Sequence, residues 1–243
     1  MIRFLPFDTS LFGYPVGKWE LSESKSDENS IIAQAKNFDL VYVFGKNHVI
    51  REGHWLPLST RVLWEKKPTP KGALNPSFRI GNPEDISICK WGDEFLSESD
   101  QNAIRNLVLT CGTFSRFKKD PFMVSNEYEK LYTQWWINVV RQKKPIYLAR
   151  KKKEMAGLIT LYPTPESCHV ELFAVLPKFQ RMGIGWQLLL KAMHGARESG
   201  METLDLATQK DNMKAMGFYE KAGFRKLNET LIHHWRPKGL KNG

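Results

Sequence analysis

The strongest chemical signal in the chain lies between Glu171 and Trp186. Glu171-Leu172-Phe173-Ala174-Val175 reads as a buried strand that breaks at Pro177, and Gln180-Arg181-Met182-Gly183-Ile184-Gly185-Trp186 then passes two glycines into an apolar helix. Glycines there let backbone N–H groups approach a ligand without interference from a β-carbon. The helix start aims free N–H groups and the positive end of its dipole at the same point, which makes a phosphate cradle. Arg181 adds a fixed charge. A tight turn with no ligand is the plainer alternative. No G-K-[ST] follows, so a nucleoside-triphosphate loop is excluded. The third glycine of a dinucleotide-binding turn is also missing.

The elements around this loop alternate between strand and helix. Pro145 to Ala149, Met155 to Tyr162 and Cys168 to Val175 read as strands, the first two joined by the charged turn Arg150 to Glu154. A helix over Gly183 to Ser199, a strand over Thr203 to Thr208 and a helix over Asn212 to Ala222 follow, with Gly223 as the left-handed stop. A pair of strands runs through Thr230 to Trp235. Upstream, a helix covers Asp100 to Thr110, Cys111 to Val124 is a loop, and Ser125 is an N-cap for a helix over Asn126 to Gln142. Tyr128, Leu131, Tyr132, Trp135 and Val139 form a stripe on that helix, a core face whose edge could line a pocket with Trp136. Leu40 to Phe44 and Ser59 to Trp64 read as strands. A strand is also expected around Phe78 to Ile80, with a turn at Asn82 to Asp85. Lys66 to Gly72, rich in Pro, Gly and Lys, reads as a linker. The expected organisation is a small N-terminal α/β domain, 1–70, and an α/β domain with a mixed sheet flanked by helices, 71–243.

At 243 residues, with 42% hydrophobic and 26% charged, the composition is that of a globular protein with a sizeable core. Three cysteines without a C-x-x-C pair fit a reducing compartment better than a disulfide framework. The opening residues lack the apolar run of a signal peptide, and no stretch is long enough to span a bilayer, so a cytoplasmic protein is expected. The formal net charge of +10 suits anionic ligands: nucleic acid, a membrane surface or a phosphorylated small molecule. The charge is dispersed, and Arg150-Lys151-Lys152-Lys153 reads as a solvated turn, so neither a nucleic-acid nor a membrane partner is expected. His233-His234 make no metal-ligand set with the other histidines and read as structural; no metal is expected.

Q-x-x-G-x-G behind an A-V-x-P strand end resembles the acetyl-CoA pyrophosphate loop of the GNAT acetyltransferase superfamily. The run Asn212-Met213-Lys214-Ala215-Met216-Gly217-Phe218-Tyr219-Glu220-Lys221-Ala222-Gly223-Phe224 is similar to its N-x-x-A-x-x-x-Y-x-x-x-G-F signature. The resemblance implies a GNAT fold, acetyl-CoA as acyl donor and a strand ending at Val175 that splays from Leu204 to Thr208. Pantetheine would lie in that gap against Phe173, Ala174 and Val175. The amides of Arg181, Met182, Gly183, Ile184, Gly185 and Trp186 would hold the pyrophosphate, Asn212 would touch the cofactor, and Tyr219 would stand by the sulfur. An attacking amine must lose a proton and the leaving thiolate gains from receiving one. Tyr219 suits the donor. For the base, Glu171 and His169 share a strand face where some family members carry a carboxylate; an ordered water is the alternative.

Phe7 to Gly13, Thr113 to Pro121 and Leu131 to Trp136 resemble the subgroup that acetylates TDP-4-amino-4,6-dideoxy sugars such as TDP-fucosamine, enzymes of cell-surface polysaccharide synthesis. In that reading Phe12, Arg116, Tyr132, Trp135 and Trp136 contact the acceptor, and rings stack on a base or sugar face while Arg116 meets a diphosphate. Glu171 departs from that subgroup's pattern. Another amine (a protein N-terminus, a polyamine, an aminoglycoside), another acyl group, or a non-catalytic module binding acyl-CoA or RNA stay open, as does a homodimer.

Overall fold

The computed structural model describes residues 1–20, 28–45, 53–66, 85–92 and 94–237. Among the described residues ten strands form one sheet: β1 (Arg3–Phe4), β2 (Val16–Glu20), β3 (Leu40–Phe44), β4 (His54–Lys66), β5 (Ile86–Trp91), β6 (Ile146–Lys151), β7 (Glu154–Pro163), β8 (Cys168–Val175), β9 (Leu204–Gln209) and β10 (Arg225–Arg236). Their order is β1-β2-β3-β10-β4-β9-β8-β7-β6-β5. β2 with β3 and β8 with β9 are parallel and the other pairs antiparallel, so the sheet is mixed. A division near residue 70 does not appear as a break in the sheet, because β4 is seated between β10 and β9. The stretches expected as a linker after Lys66, a strand at 78–80 and a turn at 82–84 lie outside the described residues.

Helices cover both faces. On one lie α3 (Glu98–Cys111), the short α4 (Arg116–Lys119) and α5 (Glu127–Arg141); on the other lie α6 (Ile184–Glu198) and α7 (Met213–Lys221). α1 (Pro6–Phe12) packs on α5, and α2 (Glu28–Ala35) precedes β3. In α6 the residues Ile184, Leu188, Leu189, Ala192, Met193 and Ala196 recur at helical spacing and are buried against the sheet. Each large aliphatic chain so removed from water contributes roughly 1.5–3 kcal/mol. Leu172, Ala174, Leu158 and Leu148 close the opposite core with Ile104, Leu107 and Val108 of α3.

Four local expectations change. The α5 cap is Asn126, in the left-handed region at φ 63°, and not Ser125. The amide of Ser125 donates to Glu127 Oε2 at 2.7 Å, so the buried Glu127 carboxylate organises this helix start. The loop after Cys111 contains α4, whose N-cap Ser115 accepts from the Lys118 amide. The C-terminal strand pair is one continuous strand, β10, with two irregularities in its pairing to β4. Arg150 is more than part of a solvated turn, because its guanidinium grips Asp100 with two bonds of 2.8 and 2.7 Å and ties β6 to the start of α3.

Candidate active site

β8 and β9 run side by side at only three pairs, Cys168 with Leu204, His169 with Asp205 and Val170 with Leu206. Beyond them residues 171–175 pair only with β7, and residues 207–209 only with β4, which leaves a gap in the middle of the sheet. A bulge opens it. Between the pairs Ile159–Phe173 and Leu161–Val170, β8 carries one residue more than β7. The Leu172 amide at this bulge donates to the buried Thr160 hydroxyl at 3.1 Å. The extra residue reverses the pleat: Cys168 and Val170 face the α6 core, whereas Leu172 and Ala174 face α3 and α5.

The open end of the gap meets the loop before α6. After a single 3-10 turn at Pro177–Phe179 the chain enters the left-handed region twice, at Arg181 (φ 65°) and at Gly183 (φ 82°), the N-cap of α6. No side chain caps this helix, so its first amides have no intrahelical partner and point outward. Ile184 and Trp186 are buried in the core by their side chains, which leaves only their backbone for a ligand. Gln180 Nε2 donates to the Val175 carbonyl at 3.1 Å and ties the loop to the strand end, so that carbonyl is engaged within the protein. Gly185 looks onto Val175, Phe173 and Phe218, the walls of the gap, at 3.7–3.8 Å from a β-carbon position. Asn212 Oδ1 accepts from the Ala215 amide at 3.2 Å and caps α7, leaving its amide NH₂ for a ligand.

Tyr219 reaches the gap from the α7 side, packed among Trp64, Phe218 and Phe224, and is 7% exposed. Its hydroxyl has no hydrogen-bond partner among the described residues. Burial pushes its pKa up, and the Cys111 thiol adds to the shift. Cys111 belongs to the other face, at the end of α3, where it lies against the Phe173 backbone and where burial pushes its thiol to about 12. Tyr219 stays protonated, and Cys111 is a neutral thiol rather than a nucleophile.

Of the two base candidates His169 lies where β8 and β9 still pair and Glu171 just beyond, at the bulge, and their surroundings differ. Glu171 is held by Lys144, whose ammonium is 3.0 and 2.9 Å from its two oxygens and also sits over the Tyr162 ring. His169 stacks on Tyr162 and binds the buried Asp205 through Nδ1. A carboxylate on Nδ1 fixes the tautomer and leaves the Nε2 lone pair outward, on a side chain 42% exposed.

The expected acceptor residues separate into groups. Arg116, the first residue of α4, stacks over Tyr42, Phe44 and Phe117 at 4.8, 5.7 and 4.2 Å. Tyr132 interacts electrostatically with both Arg116 and Cys111, hydrogen-bonds Ser115, and has its hydroxyl raised to about 12 by burial. Phe12 is buried against Phe117 and Tyr14, so it positions α4 and offers little surface to a ligand. Trp135 stands edge-on to Tyr132. Trp136 points elsewhere: it stacks on Trp91 of β5, three strands from β8, because the α5 surface there turns to the sheet edge. His234 is buried and binds Asp120 Oδ2 through Nδ1 at 2.6 Å, while Arg236 reaches the same oxygen at 3.2 Å, which fastens the segment after α4 onto β10. Burial lowers the His234 pKa to about 4, against the hydrogen bond to Asp120, which raises it. Among the described residues no helix is long and apolar enough to cross a membrane.

Comparison with known proteins gives the following. Residues 108–224 match the family model described as "Acetyltransferase (GNAT) family". The chain is 24% identical over 168 residues to the spore coat polysaccharide biosynthesis protein SpsD of Bacillus subtilis, covering 68% of this chain and 54% of SpsD. The chain spans about half the length of the curated relatives it matches. Among solved structures, a functionally unknown conserved protein from Staphylococcus epidermidis superposes with a TM-score of 0.62 at 13% identity, covering 92% of this chain and 84% of that one. A putative GNAT-family acetyltransferase from Novosphingobium aromaticivorans gives 0.52 at 14% identity, covering 90% and 84%.

Proposed function

We propose that this chain, whose residues 108–224 form a GNAT acetyltransferase domain, transfers an acetyl group from acetyl-CoA to the amino group of a nucleotide-linked 4-amino-4,6-dideoxy sugar. One arrangement carries the reading: the β8–β9 gap opens directly onto the uncapped start of α6, with Tyr219 at its side. The described residues suit the donor. The amides at Gly183 to Trp186 offer a pyrophosphate several donors at the positive end of a helix dipole. The unpaired backbone edge of residues 171–175 offers a pantetheine arm the bonds that β9 does not make.

Acetyl-CoA supplies the acetyl group as an activated thioester. Tyr219, kept neutral by burial, holds a proton for the departing sulfur. His169 is the better base of the two candidates, because Lys144 already engages the Glu171 carboxylate whereas Asp205 leaves Nε2 of His169 open. His169 lies four residues before Phe173, about 13 Å along an extended strand, so the proton travels through water rather than by contact. The sugar rests on the sequence resemblance, on Arg116 near the acyl end of the gap, and on similarity to a polysaccharide biosynthesis protein.

The test is a CoA-release assay with acetyl-CoA against TDP-4-amino-4,6-dideoxy sugars, with polyamine, aminoglycoside and peptide amines as controls. Turnover with a TDP-amino sugar and not with the controls supports the reading. Turnover confined to a control amine replaces the acceptor, and silence throughout despite tight acetyl-CoA binding replaces the enzyme with a sensor.

A further inference from the structure

The floor beneath α4 is built from four strands whose side chains share the α3–α5 face. Register places Tyr42 and Phe44 of β3, Thr230, Ile232 and His234 of β10, Ser59 and Arg61 of β4, and Gln209 of β9 along it. Arg61 stands directly between Thr230 and Gln209. The far end of this floor, residues 207–209, is also one lip of the β8–β9 gap.

Arg116 lies over the floor. Its Nε is sealed from solvent with no hydrogen-bond partner among the described residues, and so is Gln209 Oε1. Among the described residues no carboxylate lies within ion-pair distance of the Arg116 guanidinium, which sits over three aromatic rings instead. Burial, together with the like charge of Arg61, lowers its pKa, and an arginine keeps its charge regardless. Asp8 interacts with it at longer range, but the Asp8 carboxylate already accepts from the Tyr42 hydroxyl at 3.1 Å. A largely buried guanidinium with no carboxylate partner among the described residues is a costly arrangement for a protein with no further use for it. Stacking holds the Arg116 plane and leaves its outer nitrogens as a fork, the geometry that grips an oxyanion with two parallel bonds.

We propose that Arg116, with Arg61 and Gln209 beneath it, is the binding site for a phosphate group of the acceptor, held beside the acyl end of the gap. Gln209 donates its amide NH₂ to the same group, and Asp8 orients Tyr42 rather than neutralising Arg116. The carrier of the phosphate rests on the transferase reading; the anion site itself does not.

The experiment is a calorimetric titration of the CoA-saturated full chain with pyrophosphate and, separately, malonate. CoA saturation keeps the loop before α6 from competing. One pyrophosphate site is expected, weakened at least 10-fold by Arg116→Gln and by Arg116→Lys, which keeps charge but loses the fork, and weakened less by Arg61→Gln on its exposed strand position. CoA affinity unchanged in each variant shows that it is folded; if Arg116→Gln is not, Arg61→Gln carries the test. Malonate binding alone, lost in the same variants, replaces phosphate by a carboxylate and overturns the phosphate assignment. No anion binding, or binding indifferent to both arginines, overturns the site. Either failure with CoA binding intact leaves the transferase reading standing, whereas a sound anion site with no transfer to any amine removes that reading alone.

Discussion

Replacing Tyr219 by Phe removes one oxygen from a side chain whose hydroxyl makes no hydrogen bond among the described residues, while the ring keeps its packing on Trp64, Phe218 and Phe224. No partner is orphaned, so the cost in stability is below about 1 kcal/mol, and the melting temperature should barely move. The cost in turnover is of another order. A thiolate leaving with a thiol pKa of roughly 8.5 is a poor leaving group at pH 7 without a proton donor, and loss of a general acid costs about 10²-fold, or ~2.7 kcal/mol of barrier. The raised pKa of Tyr219 adds a signature in pH. The native protein should show no alkaline loss from this group below about pH 10. The assay is steady-state CoA release from pH 6.5 to 9.5, with the KM for acetyl-CoA read in parallel. A fall in kcat of less than about threefold at pH 7, or an alkaline loss below about pH 9.5 that Tyr219→Phe abolishes, refutes the assignment of the proton donor.

Thr160→Val should destabilise by about 1–3 kcal/mol in urea unfolding, because the buried Leu172 amide at the bulge loses its acceptor; unchanged stability would mean that the bulge holds without it. Gly183→Val places a β-branched residue at φ 82°, a strain of roughly 1–2 kcal/mol, and should weaken CoA binding at least 10-fold by closing the amide cradle; normal binding by calorimetry would remove the loop from the site. His234 has its pKa near 4 when folded against 6.5 when exposed, so between these values only the unfolded chain takes up the proton. Stability is therefore full above about pH 6.5 and falls by up to ~3 kcal/mol towards pH 4. For Asp120, hydrogen bonding and charge from His234 and Arg236 outweigh the larger single effect of burial, and its lowered pKa adds in the same direction. The unfolding midpoint followed against pH should flatten in His234→Gln, and an unaltered slope would place the acid sensitivity elsewhere.

The loop from Gln180 to Gly185 was legible because its signals are local: two glycines, a helix start and a strand end lie within a few residues, and Gly183 does adopt the left-handed conformation that only glycine takes freely. Strand periodicity likewise gave β7, β8 and β9 to within a residue or two. What could not be read was everything set by pairing between distant segments. Nothing in the sequence marks Thr160, whose hydroxyl matters only because β8 carries an extra residue opposite it. Asp205 reads as an ordinary polar break in Leu204-Asp205-Leu206 until the parallel register puts it beside His169. Cys111 and Tyr219 lie 108 positions apart and on different elements, so nothing local in the sequence links them. Trp136 is a related case: its stacking on Trp91 depends on where β5 lies, which no local pattern on α5 reveals. The same holds for β4, which sequence order assigns to a separate N-terminal unit and the sheet seats beside β9.

The most direct test of the account is a crystal structure of the chain with acetyl-CoA bound. The account predicts the pyrophosphate on the amides of Gly183 to Trp186, the pantetheine arm between residues 171–175 and 207–209, and the thioester between the Phe173 backbone and the Tyr219 hydroxyl. Acetyl-CoA bound on another surface, or bound with β8 and β9 zipped together and Tyr219 out of reach of the sulfur, would contradict it.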